Sequence, residues 1–552
     1  MARKQAVKKN LIWNISKFAT QLVVQFVLRT ILIYYMGAEY IGLNGLFSNI
    51  FTFLNLAELG IGSAIVFNMY KPIADGDIEK VRALQNLYKK FYLIIAIIVL
   101  CVGGIITPFV NVFINGGTTA NVNIYILFVM YLINAVVGYF SAHKRSLLFA
   151  YQRNDIENLI KTICLVLMAA FQIVSIIIFK NYYLFFSINI LFTIIECLLI
   201  HVKANKLFPE INGDAAPLDI ETRKRISKDI TALSLHKIGG AVVGATDNIL
   251  VSSFLGVAIL GAYANYSLIS LSLVSVFAIL VNALSGSVGN LIATCDKEYV
   301  YSKFKQINVV FSYLSSFCTI CLVCLIQPFI KAWTGGGVYL LDFSFVIIHS
   351  LSFYLARMRT STNMFKDCAG LFWQDRWKPI IESLANLGVS IGLAFVLGIN
   401  GIFIGTIVST LVMPFWVEPL VLYKNYFKKS VWEYFKHYLR DAVIMLVGAI
   451  VCYIVVNLIP DGGMLLLIAK FVTCIILANA LLILMYLPFN DFKIWLKVIK
   501  DFVNSKKRKN TDANNQIKND ESKNLIETDD IDIQLSQDEM LTDNMSGNED
   551  LF

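Results

Sequence analysis

Charge is scarce in this chain: Asp, Glu, Lys and Arg make up 15% of its 552 residues, against about a quarter in soluble domains. With 57% of residues in the apolar set, that deficit excludes a water-soluble enzyme. Disulfide scaffolding is excluded as well, because most of the ten cysteines lie inside apolar runs. Cys318, Cys321 and Cys324 have the spacing of an iron–sulfur run. They sit mid-span without a partnering fourth cysteine, and are read as small packed hydrophobes. No phosphate-binding loop, zinc-hydrolase motif or serine-nucleophile motif occurs. Transport, if any, must draw on an ion gradient or on the substrate's own gradient. Met1–Asn10 is basic, but the apolar run behind it is too long for a cleavable leader and lacks a small-residue cleavage site.

What is present is apolar sequence in blocks of roughly 20 residues, the length that spans a bilayer core of about 30 Å. Fourteen such blocks predict an all-α integral membrane protein. Their basic flanks alternate. The N-terminus and every second loop carry sets such as Lys71/Lys80/Arg82, Lys144/Arg145/Arg153 and Arg357/Arg359/Lys366/Arg376/Lys378, whereas the opposite loops hold only Lys180 and Lys331. By the positive-inside rule both termini are cytoplasmic. Because the basic residues sit in short loops rather than on one face, nucleic acid is not a partner. The outward loops are too short for a folded catalytic domain.

Residues repeat at nearly one period. Gly37-Ala-Glu-Tyr-Ile-Gly42 matches Gly256-Val-Ala-Ile-Leu-Gly261 at an offset of 219, and Thr107-Pro108-Phe109 matches Gln327-Pro328-Phe329 at 220. Gln152 matches Gln374 at an offset of 222. Each half holds six spans, an even number, so the repeat is parallel. The predicted architecture is two six-helix lobes, 1–226 and 227–440, plus two extra C-terminal helices in 441–487. A basic juxtamembrane segment, 488–509, and an acidic disordered tail, 510–552, follow. Phe489–Phe502 could lie as an amphipathic helix on anionic lipid. Paired lobes of this kind are the architecture of transporters that rock around a central site.

Polar residues inside spans mark the candidate site. In span one Asn14, Lys17, Gln21 and Gln25 recur at helical spacing, with Arg29 a step further. Span two carries Asn44, Ser48, Thr52, Asn55 and Glu58 on one face. Both stripes predict the lining of a watery cavity, or else hydrogen bonding between helices. Span seven holds His236, Lys237, Asp247 and Asn248, and span eight adds Asn265. Asp247, Glu58 and His236 are candidates for gating or ion coupling. The offset sets Asp247 level with Arg29, so the two either pair across the lobes or each pairs within its own lobe. Glu196 and Glu382 read as anchors near span ends, and His349 as a packed polar residue. No metal site and no cofactor is predicted beyond a coupling Na+ or H+.

The opening Lys8-Lys9-Asn10-Leu11-Ile12-Trp13-Asn14, the Gly-x4-Gly and its echo, and above all Pro379-Ile-Ile-Glu-Ser-Leu-Ala-Asn-Leu-Gly-Val-Ser390 followed by Gly398-Ile-Asn-Gly-Ile-Phe-Ile-Gly-Thr406 resemble a known family. They are similar to the polysaccharide-transporter branch, the Wzx-type oligosaccharide flippases, of the MATE/MOP exporter superfamily. The resemblance covers Leu11 to about Leu487 and leaves the acidic tail outside. It implies a V-shaped transporter in the bacterial cytoplasmic membrane that moves undecaprenyl-pyrophosphate-linked repeat units to the outer leaflet. Polysaccharide-assembly proteins would be its partners. The headgroup would enter the central cavity and the lipid tail would stay in the bilayer or in a groove by spans thirteen and fourteen. Lys17, Arg29 and Lys237 are then the cations suited to a pyrophosphate. The rival readings are a cation-coupled multidrug exporter of the same superfamily, a membrane polysaccharide polymerase or ligase, and, weakest, a structural scaffold.

Overall fold

The computed structural model describes residues 2–55, 61–213, 246–371 and 373–497, with isolated positions between 215 and 226. Among the described residues the secondary structure is helical, without strands. That follows from composition, because an apolar segment in lipid must satisfy its backbone within itself. The helices are α1 (Ala2–Tyr35), α2 (Ala38–Leu54), α3 (Ile61–Asp75), α4 (Ile78–Ile106), α5 (Ile124–Ala150), α6 (Asn154–Phe179) and α7 (Tyr182–Leu207). After a helical stretch at 246–255 come α8 (Val257–Thr294), α9 (Lys297–Thr334), α10 (Phe343–Met358), α11 (Thr360–Cys368) and α12 (Lys378–Leu397). The last are α13 (Ile399–Val412), α14 (Pro414–Leu422), α15 (Trp432–Asn457) and α16 (Met464–Tyr486). The described chain forms two compact units divided between Ile483 and Leu484.

Among the described residues twelve helical segments are long and apolar enough to cross a membrane, and each matches one of the fourteen spans read from sequence. The two remaining spans have plain explanations. Span two, expected as one helix over Tyr40–Met69, is described as α2 and α3, with Asn55 N–H bonded to Phe51 O and residues 56–60 outside the described residues. Most of span seven, with His236 and Lys237, lies outside the described residues, as does Glu58.

The internal repeat is physical. Gly37 and Gly256 precede α2 and α8 in nearly the same left-sided conformation, with φ of 97° and 90°. Gly42 and Gly261 let the two helices touch: a Cβ on Gly42 would lie 1.8 Å from the Val257 carbonyl oxygen, and one on Gly261 2.0 Å from that of Ala38. Each residue of one contact is the repeat partner of a residue in the other, the mark of an isologous two-fold contact. Asp77 and Asp296, again 219 apart, cap α4 and α9 by accepting from Lys80 N and Tyr299 N at 2.9 and 3.0 Å. Sequence reading passed over these two.

At the end of the bundle where α1 finishes and α2 begins, here the far end, two sets of hydrogen bonds join the halves. Asn115 N and Nδ2 donate to Ser252 O and Phe254 O at 3.2 and 2.6 Å, and Ser252 Oγ to Phe113 O at 2.6 Å. On the opposite side Trp333 Nε1 donates to Thr30 Oγ1 at 2.8 Å. Tyr34 OH donates to Trp333 O at 3.0 Å, and Tyr339 OH to Ile33 O at 3.2 Å. Both α2 and α8 start from this seam, so the pseudo-two-fold axis runs along the bundle.

Two local expectations change. The loop cations Arg359, Lys366 and Lys378 are not simply solvated flanks. Arg359 and Lys378 lie 2.8 and 2.7 Å from the buried Glu418 carboxylate, and Lys366 bonds Asp375. These pairs satisfy charges where three helices meet. Cys321 and Cys324 do have a neighbouring thiol, Cys474 on α16, which lies too far along the chain for spacing to reveal. All ten cysteines are free, and no cluster of His, Cys, Asp and Glu that could hold a metal occurs among the described residues. In the second unit residues 490–497 are helical, and Phe492 is buried against Tyr486 and Trp495. The acidic tail lies outside the described residues.

Candidate functional site

A cavity of about 740 Å³ lies between α1, α2, α6, α7, α8 and the stretch 246–255. Its polar lining is mostly amide: Gln21 and Gln25 from α1, Asn44 and Asn49 from α2, Gln172 from α6, Asn189 from α7, and Asn248. Ser267, Ser272, Ser275 and Tyr263 of α8 add hydroxyls. Among the described residues that line it, Arg29 is the only charged one.

Helical spacing explains why these side chains converge. Gln21, Gln25, Arg29 and Leu32 follow one another at three- and four-residue steps, so one face of α1 forms a wall. Several lining amides are tied to their own surroundings: Asn44 Oδ1 accepts from Ser48 at 3.3 Å, Asn49 donates to Gly45 O at 2.6 Å, and Gln172 donates to Phe185 O at 3.1 Å. Arg29 differs. No acid and no hydrogen-bond acceptor among the described residues engages its guanidinium, and the phenols of Tyr131 and Tyr182 lie close enough to act on it electrostatically. Five fixed N–H donors therefore face a cavity without a carboxylate. Such an arrangement suits an anion, and phosphate oxygens match the planar fork best.

Of the other residues picked from sequence, Gln21, Gln25 and Asn44 join Arg29 in the lining. Lys17 is held elsewhere, its Nζ donating to Asn158 Oδ1 at 3.1 Å. Asn55 accepts from Tyr139 OH at 2.5 Å. Asn265 is fully buried, and both polar atoms of its amide lack partners among the described residues. Lys237, His236 and Glu58 lie outside the described residues. Glu196 pairs with Arg145 at 2.9 Å, and His349 Nε2 meets Ser270 Oγ at 2.7 Å among aromatic rings.

Arg29 and Asp247 do not pair. Asn248 lines the cavity, while Asp247 turns back into its own half, where Thr406 donates to its Oδ2 at 2.9 Å and Asn386 donates to Thr406 at 3.1 Å. Close packing builds this corner: a Cβ on Gly405 would collide with Ser390 Oγ at 2.1 Å, and Ser390 donates to Ile402 O at 2.9 Å. The Asp247 carboxylate also lies against the Asn386 side chain, and Asn386 Oδ1 is a buried acceptor without a donor among the described residues. A carboxylate, an open amide oxygen and a hydroxyl side by side fit a small monovalent cation, or a proton carried by the carboxyl.

Asn386, Ser390 and Thr406 fall within the stretch that carried the family resemblance, but sequence reading assigned them no role. Gln172 and Asn189 were missed as well. The only available signal was a single amide in an otherwise apolar span.

No family model and no curated relative matches the sequence. Solved structures do. A structure titled lipid II flippase MurJ, inward closed conformation, superposes with a TM-score of 0.62 over 86% of this chain and 99% of that one, at 14% identity. A MATE family transporter described as of the MOP superfamily, in an inward-facing conformation, gives a TM-score of 0.55 over 72% of this chain and 94% of that one, at 15% identity. The Vibrio cholerae MATE transporter VcmN gives 0.52 over 78% and 98%, also at 15% identity. The fold is that of the MOP-superfamily transporters. Within this MOP fold the cavity lies on the seam between the repeats, with the far-end hydrogen bonds above it.

Proposed function

We propose that this chain is a flippase. It moves a lipid-linked oligosaccharide, with an undecaprenyl-pyrophosphate head, from the inner to the outer leaflet of the bacterial cytoplasmic membrane by alternating access. The observation that carries this reading is Arg29, a guanidinium without an acid or acceptor partner among the described residues, in a cavity whose described lining has no acid. Charge-assisted bonds from it to a phosphate are worth about 1.5–3 kcal/mol each, and the amides and hydroxyls around it match sugar hydroxyls. A cavity of about 740 Å³ falls within the 300–1,000 Å³ or so of ordinary ligand sites, enough for the head and not for the lipid. The likeness to a lipid II flippase supports a lipid-linked cargo.

The basic loops orient the termini to the cytoplasm, so the far end faces outward and the hydrogen-bonded seam closes the outward side. Asp247, Thr406 and Asn386 would hold Na+ or carry a proton that drives the cycle. Polysaccharide-assembly proteins would receive the cargo on the outer side.

Deleting the gene and following glycolipid by leaflet tests the reading. Lipid-linked repeat units should accumulate in the inner leaflet, and wild-type chain should clear them. Arg29→Ala should insert normally in the membrane and fail to clear them. Unchanged glycolipid with altered drug resistance would instead favour a cation-coupled multidrug exporter, for which an acid-free lining is ill suited.

A further inference from the structure

A second cavity, of about 340 Å³, lies at the far end between the last turn of α9 and the start of α16. Pro328, Lys331, Pro460, Asp461, Met464 and Lys470 are among its walls. Lys470 stands six residues into α16, about 9 Å along the axis, and is 3% exposed. An ammonium buried in an apolar helix is costly and marks function by default. Its one ion-pair partner among the described residues is Asp461, with Nζ–Oδ1 at 2.5 Å, and the same carboxylate takes Lys331 on Oδ2 at 3.1 Å.

Two ammonium groups therefore share one carboxylate, which leaves a net charge of +1 and unused N–H donors beside an open cavity. The first turn of α16 borders the same space and adds positive potential. The carboxylate is half exposed, at 49%, as is Lys331, while Lys470 is buried, and Asp461 sits on the loop before Gly462 and Gly463. Below the cavity α16 presents Leu465, Ile468, Val472 and Ile476, all more than half exposed or close to it, as a face for acyl chains.

We infer that this cavity binds a phosphoryl group, with Lys331 and Lys470 as its ligands and Asp461 as an internal anion that the phosphoryl group displaces. The acyl-ready face of α16 favours a lipid as its source over phosphate in solution. The inference is independent of what the central cavity carries.

A purely structural ion pair and an anion site predict opposite signs for the central carboxylate. The test uses the full-length protein in nanodiscs and measures retention of phosphatidylglycerol against phosphatidylcholine by native mass spectrometry. Lys470→Gln and Lys331→Gln should each lower phosphatidylglycerol retention about tenfold, the loss of one charge-assisted bond. Asp461→Asn should raise it. Lys331 is half exposed, so its variant remains informative if Lys470→Gln does not fold. Inorganic phosphate that binds with the same variant pattern, while phosphatidylglycerol does not, would keep the phosphoryl site and assign its ligand to solution. If Asp461→Asn lowers retention along with the lysine variants, or no variant changes it, the inference fails.

Discussion

Arg29 and Asn248 occupy equivalent places in the two halves, 219 residues apart, and both line the central cavity. One is a charged fork and the other a neutral amide. At the seam the halves behave differently: Gly37 matches Gly256 and Gly42 matches Gly261 in both residue type and geometry, as Asp77 matches Asp296 at the caps of α4 and α9. The ion pairs at the end of the bundle away from the seam follow the same pattern, since Glu196 and Glu418, 222 apart, each meet an arginine, Arg145 and Arg359. Symmetry thus holds where two copies must pack against each other and breaks where a ligand would be held. A packing contact across a two-fold requires the same small residue on both sides. An asymmetric cargo, charged at one end and rich in hydroxyls elsewhere, requires unlike walls.

The largest effect should come from overfilling the symmetric contact. Gly42→Val and Gly261→Val both drive side-chain atoms into a backbone carbonyl that cannot move away cheaply. Each should cost at least the 1–3 kcal/mol or so of ordinary overpacking. Hydrogen exchange at residues 30–38 and 252–261 should rise alike in both variants. Unequal effects would show that the seam is less symmetric than its geometry.

Charge in the cavity should respond unequally. Arg29→Asn should cut transport by about 10- to 100-fold, whereas Asn248→Arg should keep most of it. The double variant, Arg29→Asn with Asn248→Arg, should recover part of the loss in a leaflet-resolved transport assay. A double variant as inactive as Arg29→Asn would mean that position matters and net charge does not.

Smaller changes are expected from single seam hydrogen bonds. Tyr339→Phe and Ser252→Ala each remove one bond across the halves, worth about 1 kcal/mol. Each should loosen exchange protection of the opposite half's partner segment, residues 30–34 or 111–115, without lowering expression.

The smallest effect is one of pH. The Lys470 and Lys331 ammonium groups hold the Asp461 carboxyl below the usual carboxylate range. A depressed acid contributes stability above its unfolded value, about 3.9, and that stability is lost as pH falls through its folded value. Exchange protection of residues 458–466 should stay flat above about pH 4 and fall in stronger acid. Asp461→Asn should remove that acid-dependent part.

Much of this molecule was legible in its sequence. Spans of about 20 residues are set by bilayer thickness, a one-dimensional constraint, and the glycine and proline landmarks of the repeat are local. The stripe Gln21–Gln25–Arg29 was legible for the same reason, because helical spacing alone puts those residues on one face. What the residues face was not. Lys17 continues that stripe in sequence, yet it bonds Asn158 on α6. Asp247 stands beside a cavity residue and turns instead to Thr406, 159 positions away. The cysteine run gained Cys474 from α16, and loop cations counted as topology signals met Glu418 and Asp375 in buried ion pairs.

The sequence by itself determined that the chain crosses a membrane many times, that it contains two parallel copies of one unit, and which helix faces are polar. Periodicity and charge along a single helix carry that information. Tertiary structure alone decided which polar groups are satisfied and which are left open. A side chain's partner is fixed by helices that approach in space from distant parts of the chain. That is why Arg29, Asn386 Oδ1 and the Lys331–Lys470 pair stand out only once the bundle is assembled.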